Sequence, residues 1–306
     1  ATVRSAPGLL GKRDLQIVSR LGVDGDDAAL VPHGSEFLVI CGEAISPPFL
    51  EADPFGAGTA AVVTNVSDVR AMGGRPLALV DMLVSPSRAH AEQVLDGIAQ
   101  ASALLGVPVV GGHLTIGHAA ALSASCTGVA TRPLKASAAR PGDVLLAAFA
   151  LDGRYMSDSR PFFTALQDRT PEQLRDDGEA LVEVAEAGLC HAARDISMPG
   201  VAGSLLQMLE LAGCGAVLDL DRLPRPESAP LERWLVTFPS FGYLLATTAE
   251  RAGAACDVFT RRGLACAPCG SFDATGVLRL AAGGEERSAW DLGTTPLTGL
   301  SPSAGA

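Results

Sequence analysis

Thr64-Asn65-Val66-Ser67-Asp68-Val69-Arg70-Ala71-Met72-Gly73-Gly74-Arg75-Pro76 closes one helix and opens the next strand, and the acid it carries decides how the rest of the chain is read. Upstream, from Asp53 to Met72, Ala, Val and Met recur at helical spacing after an Asp-Pro start. Asp53 suits an N-cap and Pro54 the first helical position. Gly73-Gly74 ends the helix, and Arg75-Pro76 leads into a strand over Leu77 to Val84. A helix packed on a sheet rarely carries Asn, Ser and Asp without a use for them, because burying an unpaired carboxylate is costly. Asn65 and Asp68, three apart, share a face. Capping chemistry at the helix C-terminus is the alternative, but an acid has the wrong charge for that end of the dipole.

Outward from this segment, Asp26 to Val31 and Phe37 to Cys41 read as strands joined by the turn His33-Gly34-Ser35. Ser87 to Leu105 is an amphipathic helix stopped by Gly106, followed by strands at Val107 to Val110 and Ala121 to Thr131. The order β-β-α-β-α-β-β builds an α+β layer whose helices cover one sheet face and leave the other needing cover, which a partner subunit can supply. Arg140-Pro141-Gly142-Asp143 marks a boundary, giving units at 1–139 and 140–306. The second unit opens with a buried strand, Val144 to Leu151. Helices follow at 171–187, 200–212 and 250–262, with strands at 216–220 and 243–248. The Gly-, Pro-, Ser- and Thr-rich tail, 294–306, is expected to be loosely held.

With 306 residues, 48% hydrophobic and 19% charged, the chain suits a compact α/β protein with many turns. A net charge of −11 without a basic stripe argues against a nucleic-acid partner, since phosphate-backbone affinity comes from clustered Lys and Arg. No apolar run is long enough to span a bilayer and no secretory signal is read, so no membrane association is expected. Seven irregularly spaced cysteines suggest reduced thiols and a cytoplasmic protein. Cys266 and Cys269 form a CxxC with neither a second pair nor a nearby His, and are read as buried thiols.

Four further segments can carry chemistry. Gly25-Asp26-Asp27-Ala28-Ala29 heads the first strand, where adjacent carboxylates point to opposite sides. A solvated turn is the simpler account of that segment alone. Glu43 lies just past the second strand. Gly111-Gly112-His113 follows a buried strand, where amides unobstructed by Cβ atoms can cradle a phosphate. Asp195 precedes an apolar helix for which Ser197 is a candidate N-cap.

In order and spacing, Gly25 to Ala29, Asn65 to Asp68 with Ala71 to Pro76, Val110 to His113, Arg140 to Leu146 and Asp195-Ile196-Ser197 resemble one ATP-binding family. It comprises aminoimidazole ribonucleotide (AIR) synthase, thiamine-monophosphate kinase, selenophosphate synthetase and a hydrogenase-maturation dehydratase. Phe238-Pro239-Ser240-Phe241-Gly242 fits too, and the thiamine-monophosphate kinase-like branch looks closest. The resemblance implies an N-terminal ferredoxin-like-type sheet that closes a β-barrel in a homodimer, and a C-terminal α/β domain with a mixed sheet. It implies ATP held through Mg²⁺ by Asp26, Asp27, Glu43, Asp68 and Asp195, with Asn65, Gly111, Gly112 and His113 beside the nucleotide and His113 and Asp195 as catalytic candidates. Carboxylates so gathered repel unless cations lie between them, and Mg²⁺ is commonly shared between carboxylates and phosphates.

This chain departs from the kinase branch with Met198 and His113 where relatives carry acids, which puts thiamine-monophosphate kinase activity itself in question. Lys12, Arg13, Arg20, Arg154 and Arg160 are candidates for an acceptor's anionic group; His33, His90, His118 and His191 show no ligand spacing. Three functions are consistent with the sequence: a kinase acting on a small molecule, a ligase or cyclase working through a phosphate intermediate, and a non-catalytic nucleotide-binding paralogue.

Overall fold

A computed structural model describes residues 3–21, 25–156 and 162–300, with the side chains of 19 and 20 excepted. The first sheet and its helices comprise α1 (Pro7–Gly11), a 3-10 stretch (Lys12–Leu21), β1 (Ala29–His33), β2 (Glu36–Ile45), α2 (Pro47–Ala52), α3 (Pro54–Ala71), β3 (Arg75–Ser85), α4 (Arg88–Leu105), β4 (Val109–Ile116) and β5 (Ala121–Ala130). The strand order is β1-β2-β5-β3-β4. Only β3 and β4 are parallel, with α4 as their crossover; the remaining pairs are antiparallel.

Helix α3 starts as expected, with Asp53 accepting the Gly56 amide at 2.9 Å and Pro54 at the first position. It stops where Gly73 takes φ 68°, a conformation only glycine adopts freely. Nearly all of it is buried, because it packs on β2 and β5, against α4, and against the second unit. Gly58 of α3 and Gly97 of α4 lie where each helix meets the other's backbone, so a Cβ on Gly58 would strike the Val94 carbonyl and one on Gly97 the Phe55 carbonyl. The α3–α4 layer covers one sheet face. The other face leaves Ile40, Val80 and Met82 exposed, and Leu114 and Ile116 are exposed on edge strand β4.

The second unit adds β6 (Val144–Phe149), β7 (Arg154–Tyr155), β8 (Phe162–Thr164), α5 (Pro171–Glu186), β9 (Ala192–Asp195), α6 (Gly200–Ala212), β10 (Gly215–Asp219), α7 (Leu231–Trp234), β11 (Phe238–Pro239), β12 (Gly242–Thr247), α8 (Ala249–Thr260), β13 (Ala265–Asp273), β14 (Val277–Ala282) and β15 (Glu285–Asp291). Seven of these strands form a mixed sheet, β15-β14-β10-β13-β6-β12-β9, and β11-β8-β7 form a small one. The architecture is thus the expected α+β arrangement of two sheet-and-helix units.

Three details differ from the sequence expectation. Strand β2 continues to Ile45, so Glu43 sits inside it, on the same face as Val39 and Cys41. Gly111, Gly112 and His113 are not a turn but the middle of β4, paired with Val80, Asp81 and Met82. Gly112 is there because a Cβ would collide with the Asp81 carbonyl and carboxylate. The tail is pinned as far as Leu300: Glu210 accepts amides of Leu297 at 2.7 Å, Thr298 at 2.8 Å and Gly299 at 3.2 Å, and Leu297 is fully buried. Residues 301–306 of that tail lie outside the described residues. In addition, Val3, Ala6 and Leu9 pack into the core of the second sheet, although the sequence groups them with the first unit.

Candidate functional site

Asp27, Asp68 and Asp195 come from three distant places in the chain: the entry to β1, the last turn of α3 and the end of β9. Each offers a carboxylate oxygen, and these atoms lie within 4.8 Å of one another. The convergence has local causes. Strand β9 pairs with β12 with Asp195 opposite Tyr243, so the strand delivers its last side chain beside α3, which packs on it. Asp27 is tied directly to that strand: its Oδ2 accepts the Asp195 amide at 2.9 Å, and its Oδ1 meets the Arg194 guanidinium at 3.2 Å. Asp68 Oδ2 is buried and has no hydrogen-bond partner within the protein, which is costly for a carboxylate unless a cation completes it.

Burial is the first cause that raises the pKa of all three acids. For Asp68 the charges of Asp195 and Asp27 add to it; for Asp195 that of Asp27 does; for Asp27 the Arg194 charge opposes it. Asp26 is pushed up to about 7, by burial and then by Asp27. Its carboxylate is spent on the backbone, accepting the Ala136 amide at 2.9 Å and the Asp27 amide at 3.1 Å. It lies directly beside the three acids, each of its oxygens holding one backbone amide. Glu43 keeps solvent access, yet burial still raises its pKa, and its charge is felt by both Asp68 and Asp195. It sits at the rim.

Lys12 approaches the same acids closely enough to lower the pKa of Asp27, Glu43, Asp68 and Asp195 against the effect of burial. Arg13 is exposed, and Arg154 is engaged with Asp168 at 2.7 Å. Arg160 and the Arg20 side chain lie outside the described residues. Asn65, expected beside the nucleotide, is fully buried, donates to the Ala61 carbonyl at 2.8 Å and accepts from the Cys41 thiol at 3.5 Å. It stiffens α3 from within. His113 is exposed on β4, an edge strand separated from β2 by β5 and β3, so within one subunit it does not join the carboxylates. Ser197 does not cap α6; its amide donates to Ser204 Oγ at 3.1 Å, and Pro199 takes the N-cap position.

Arg194 is the residue that reading the sequence missed. It is buried beside Asp27 and also reaches the Gly25 carbonyl at 3.4 Å. The available signal was its position next to Asp195: a cation adjacent to a buried acid on a short strand. The donor set of the cluster is hard carboxylate oxygen, which suits Mg²⁺, an ion that takes one or two carboxylates and fills its remaining positions with water or phosphate.

Known proteins resemble this chain over most of its length. An uncharacterized protein of Synechocystis is 35% identical over 306 residues, covering 96% of this chain and 95% of its own length. A selenide, water dikinase of Aeromonas salmonicida is 29% identical over 262 residues, covering 78% of this chain and 74% of its own. Among solved structures, T. maritima PurL complexed with AMPPCP superposes with a TM-score of 0.76 at 21% identity. That match takes in 94% of this chain but 49% of the PurL chain, so the chain spans about half the length of that structure. The model described as AIR synthase related protein, N-terminal domain, matches residues 25–130, and the corresponding C-terminal domain matches residues 118–282. With the fold, the ordered motifs and both family models in agreement, the chain belongs to the AIR synthase related family.

Proposed function

We propose that this chain binds ATP through Mg²⁺ at Asp27, Asp68 and Asp195, with Glu43 at the rim, and transfers the terminal phosphoryl group to a small-molecule acceptor. The unpartnered Asp68 Oδ2 inside a ring of buried acids carries this reading. Asp27, Asp68 and Asp195 would hold the Mg²⁺, which would supply charge neutralisation, most of what phosphoryl transfer requires. The protein's own groups do the rest. Arg194 and the Asp195 amide fix the Asp27 carboxylate, and Lys12 supplies a cation on the side from which a triphosphate would enter. In the transfer, the acceptor oxygen forms the new bond to the γ-phosphorus, the bond to the ADP oxygen breaks, and the acceptor proton passes to Asp195, the catalytic candidate that stands at the cluster.

Calorimetric titration with AMPPCP tests this directly. Binding is expected only with MgCl₂ present, and Asp68→Asn should weaken it by at least about tenfold, roughly 1.4 kcal/mol. Equal affinity in the variant would overturn the assignment. Product analysis separates the chemistries that share such a site: a kinase leaves ADP and a phosphorylated acceptor, a ligase leaves ADP and free phosphate.

Three further elements belong to the proposal. The chain works as a homodimer joined through the apolar, uncovered face of its first sheet. It divides into units at 1–139 and 140–306. Its seven cysteines, none of them in a disulfide, suit the reducing cytoplasm. Among the described residues, no helix is long and apolar enough to cross a membrane.

A further inference from the structure

Next to the acids, a hollow of about 380 Å³ opens with Glu43 on its margin and Met198, three residues beyond Asp195, on its wall. Its body is aromatic. Phe162 of β8 and Phe238 of β11 are register partners on adjacent parallel strands, their ring centroids 5.2 Å apart and tilted by 44°, and Phe49 of α2 also lines the hollow. Apart from Glu43, its polar lining is two hydroxyl groups, those of Ser46 and Thr64. Among the described residues, no Lys or Arg lines it.

A cavity of this volume falls within the range that small ligands fill. Among the described residues, Glu43 is the one charged group of its lining. A phosphorylated or carboxylated body would meet the Glu43 carboxylate here, and among the described residues no Lys or Arg of the lining to offset it. A planar ring would instead stack on the Phe162–Phe238 pair and touch the Met198 thioether, and a ring carrying positive charge would gain from both the ring faces and Glu43. Met198 is 55% exposed, so it caps the hollow rather than filling a core.

Building on the phosphoryl-transfer reading above, we propose that this hollow holds the acceptor, and that the acceptor is a neutral or cationic aromatic-ring compound bearing a hydroxyl group rather than an anionic metabolite. The ring lies against the phenylalanine pair, and its hydroxyl substituent points past Glu43 towards the carboxylate cluster.

The test uses the full chain and three probes: 4-(hydroxymethyl)-1-methylpyridinium, its neutral parent 4-(hydroxymethyl)pyridine, and glycerol 3-phosphate. Saturation-transfer NMR and calorimetry are run at pH 8 with and without Mg²⁺ and AMPPCP. Both pyridines should bind, the cation at least as tightly as its parent, with AMPPCP present as well as absent, while glycerol 3-phosphate should not. Phe162→Ala should weaken the pyridines by about tenfold, with thermal melting reporting that the variant is folded. Met198→Arg, a change at an exposed position, should weaken the cationic probe by about tenfold and leave the neutral one less affected. Preference for glycerol 3-phosphate, or pyridine affinity unmoved by both substitutions, would overturn the proposal. So would displacement of the pyridines by AMPPCP, which would give the hollow to the adenine. If AMPPCP itself fails to bind, the nucleotide reading falls, while the pyridine titrations without it still judge the hollow.

Discussion

Asp27 is held from two sides, by the Arg194 guanidinium and by the Asp195 amide, whereas Asp68 has an oxygen that nothing in the protein satisfies. The two acids therefore answer differently to substitution. Replacing Arg194 by Met leaves Asp27 buried without its cation, a change of the kind that costs about 3–5 kcal/mol. Urea unfolding without metal should show a loss that grows from pH 5 to pH 8, because at the lower pH Asp27 can take up a proton. The native cluster has a related pH dependence. Asp26 sits near 7 and its neighbours are raised, while unfolded aspartates titrate near 4. Between those values the folded state holds more protons than the unfolded state, so stability of the metal-free protein falls as pH rises through this window. Mg²⁺ should restore thermal stability at pH 8 and do little at pH 5; equal stabilisation at both would count against the metal assignment. Asp68 was legible from sequence because an acid on an apolar helix is conspicuous. Asn65 stands out for the same reason, although a polar residue bonded inside a helix looks no different in sequence from one facing a ligand. Asp26 and Asp27 were inseparable until the Ala136 amide, far along the chain, was seen to occupy one of them.

Helices α3 and α4 cover the first sheet as a pair, and they approach so closely that Gly58 and Gly97 touch the opposing backbone. Backbone cannot yield as a flexible side chain can. Gly97→Ala should therefore cost about 1–3 kcal/mol, measured as a lower urea midpoint with unchanged slope. Because α3 carries Asp68, nucleotide affinity should fall with it. Helix ends were well forecast here: Asp53-Pro54, Gly73, Ser87 and Gly106 all act as their chemistry suggests. Strand β4 was not. A Gly-Gly pair ordinarily marks a turn, but here it lets an edge strand lie against the Asp81 side of β3. Strand β9 escaped notice because four residues, two of them charged, give no alternation to read.

At the scale of the whole molecule, the uncovered sheet face is an unfinished surface, with Ile40, Val80 and Met82 exposed on it. Val80→Glu with Met82→Glu places two charges on it, at exposed positions that a lone subunit should tolerate. Light scattering should then report half the mass of the parent protein; an unchanged mass would rule out this face as the interface. The general two-unit plan was legible because turn residues punctuate it, but the path of the first residues was not, since nothing local marks which core a short apolar segment will join. That path ties the halves together. Leu9 is fully buried in the second core, Gly8 abuts the Met198 carbonyl, and Lys12 leans over acids that both halves supply. Swinging the halves apart would draw Leu9 into water, at about 1.5–3 kcal/mol. The opening segment is in effect stitched onto the second core, so its amides should exchange with deuterium as slowly as those of the sheet it lies against.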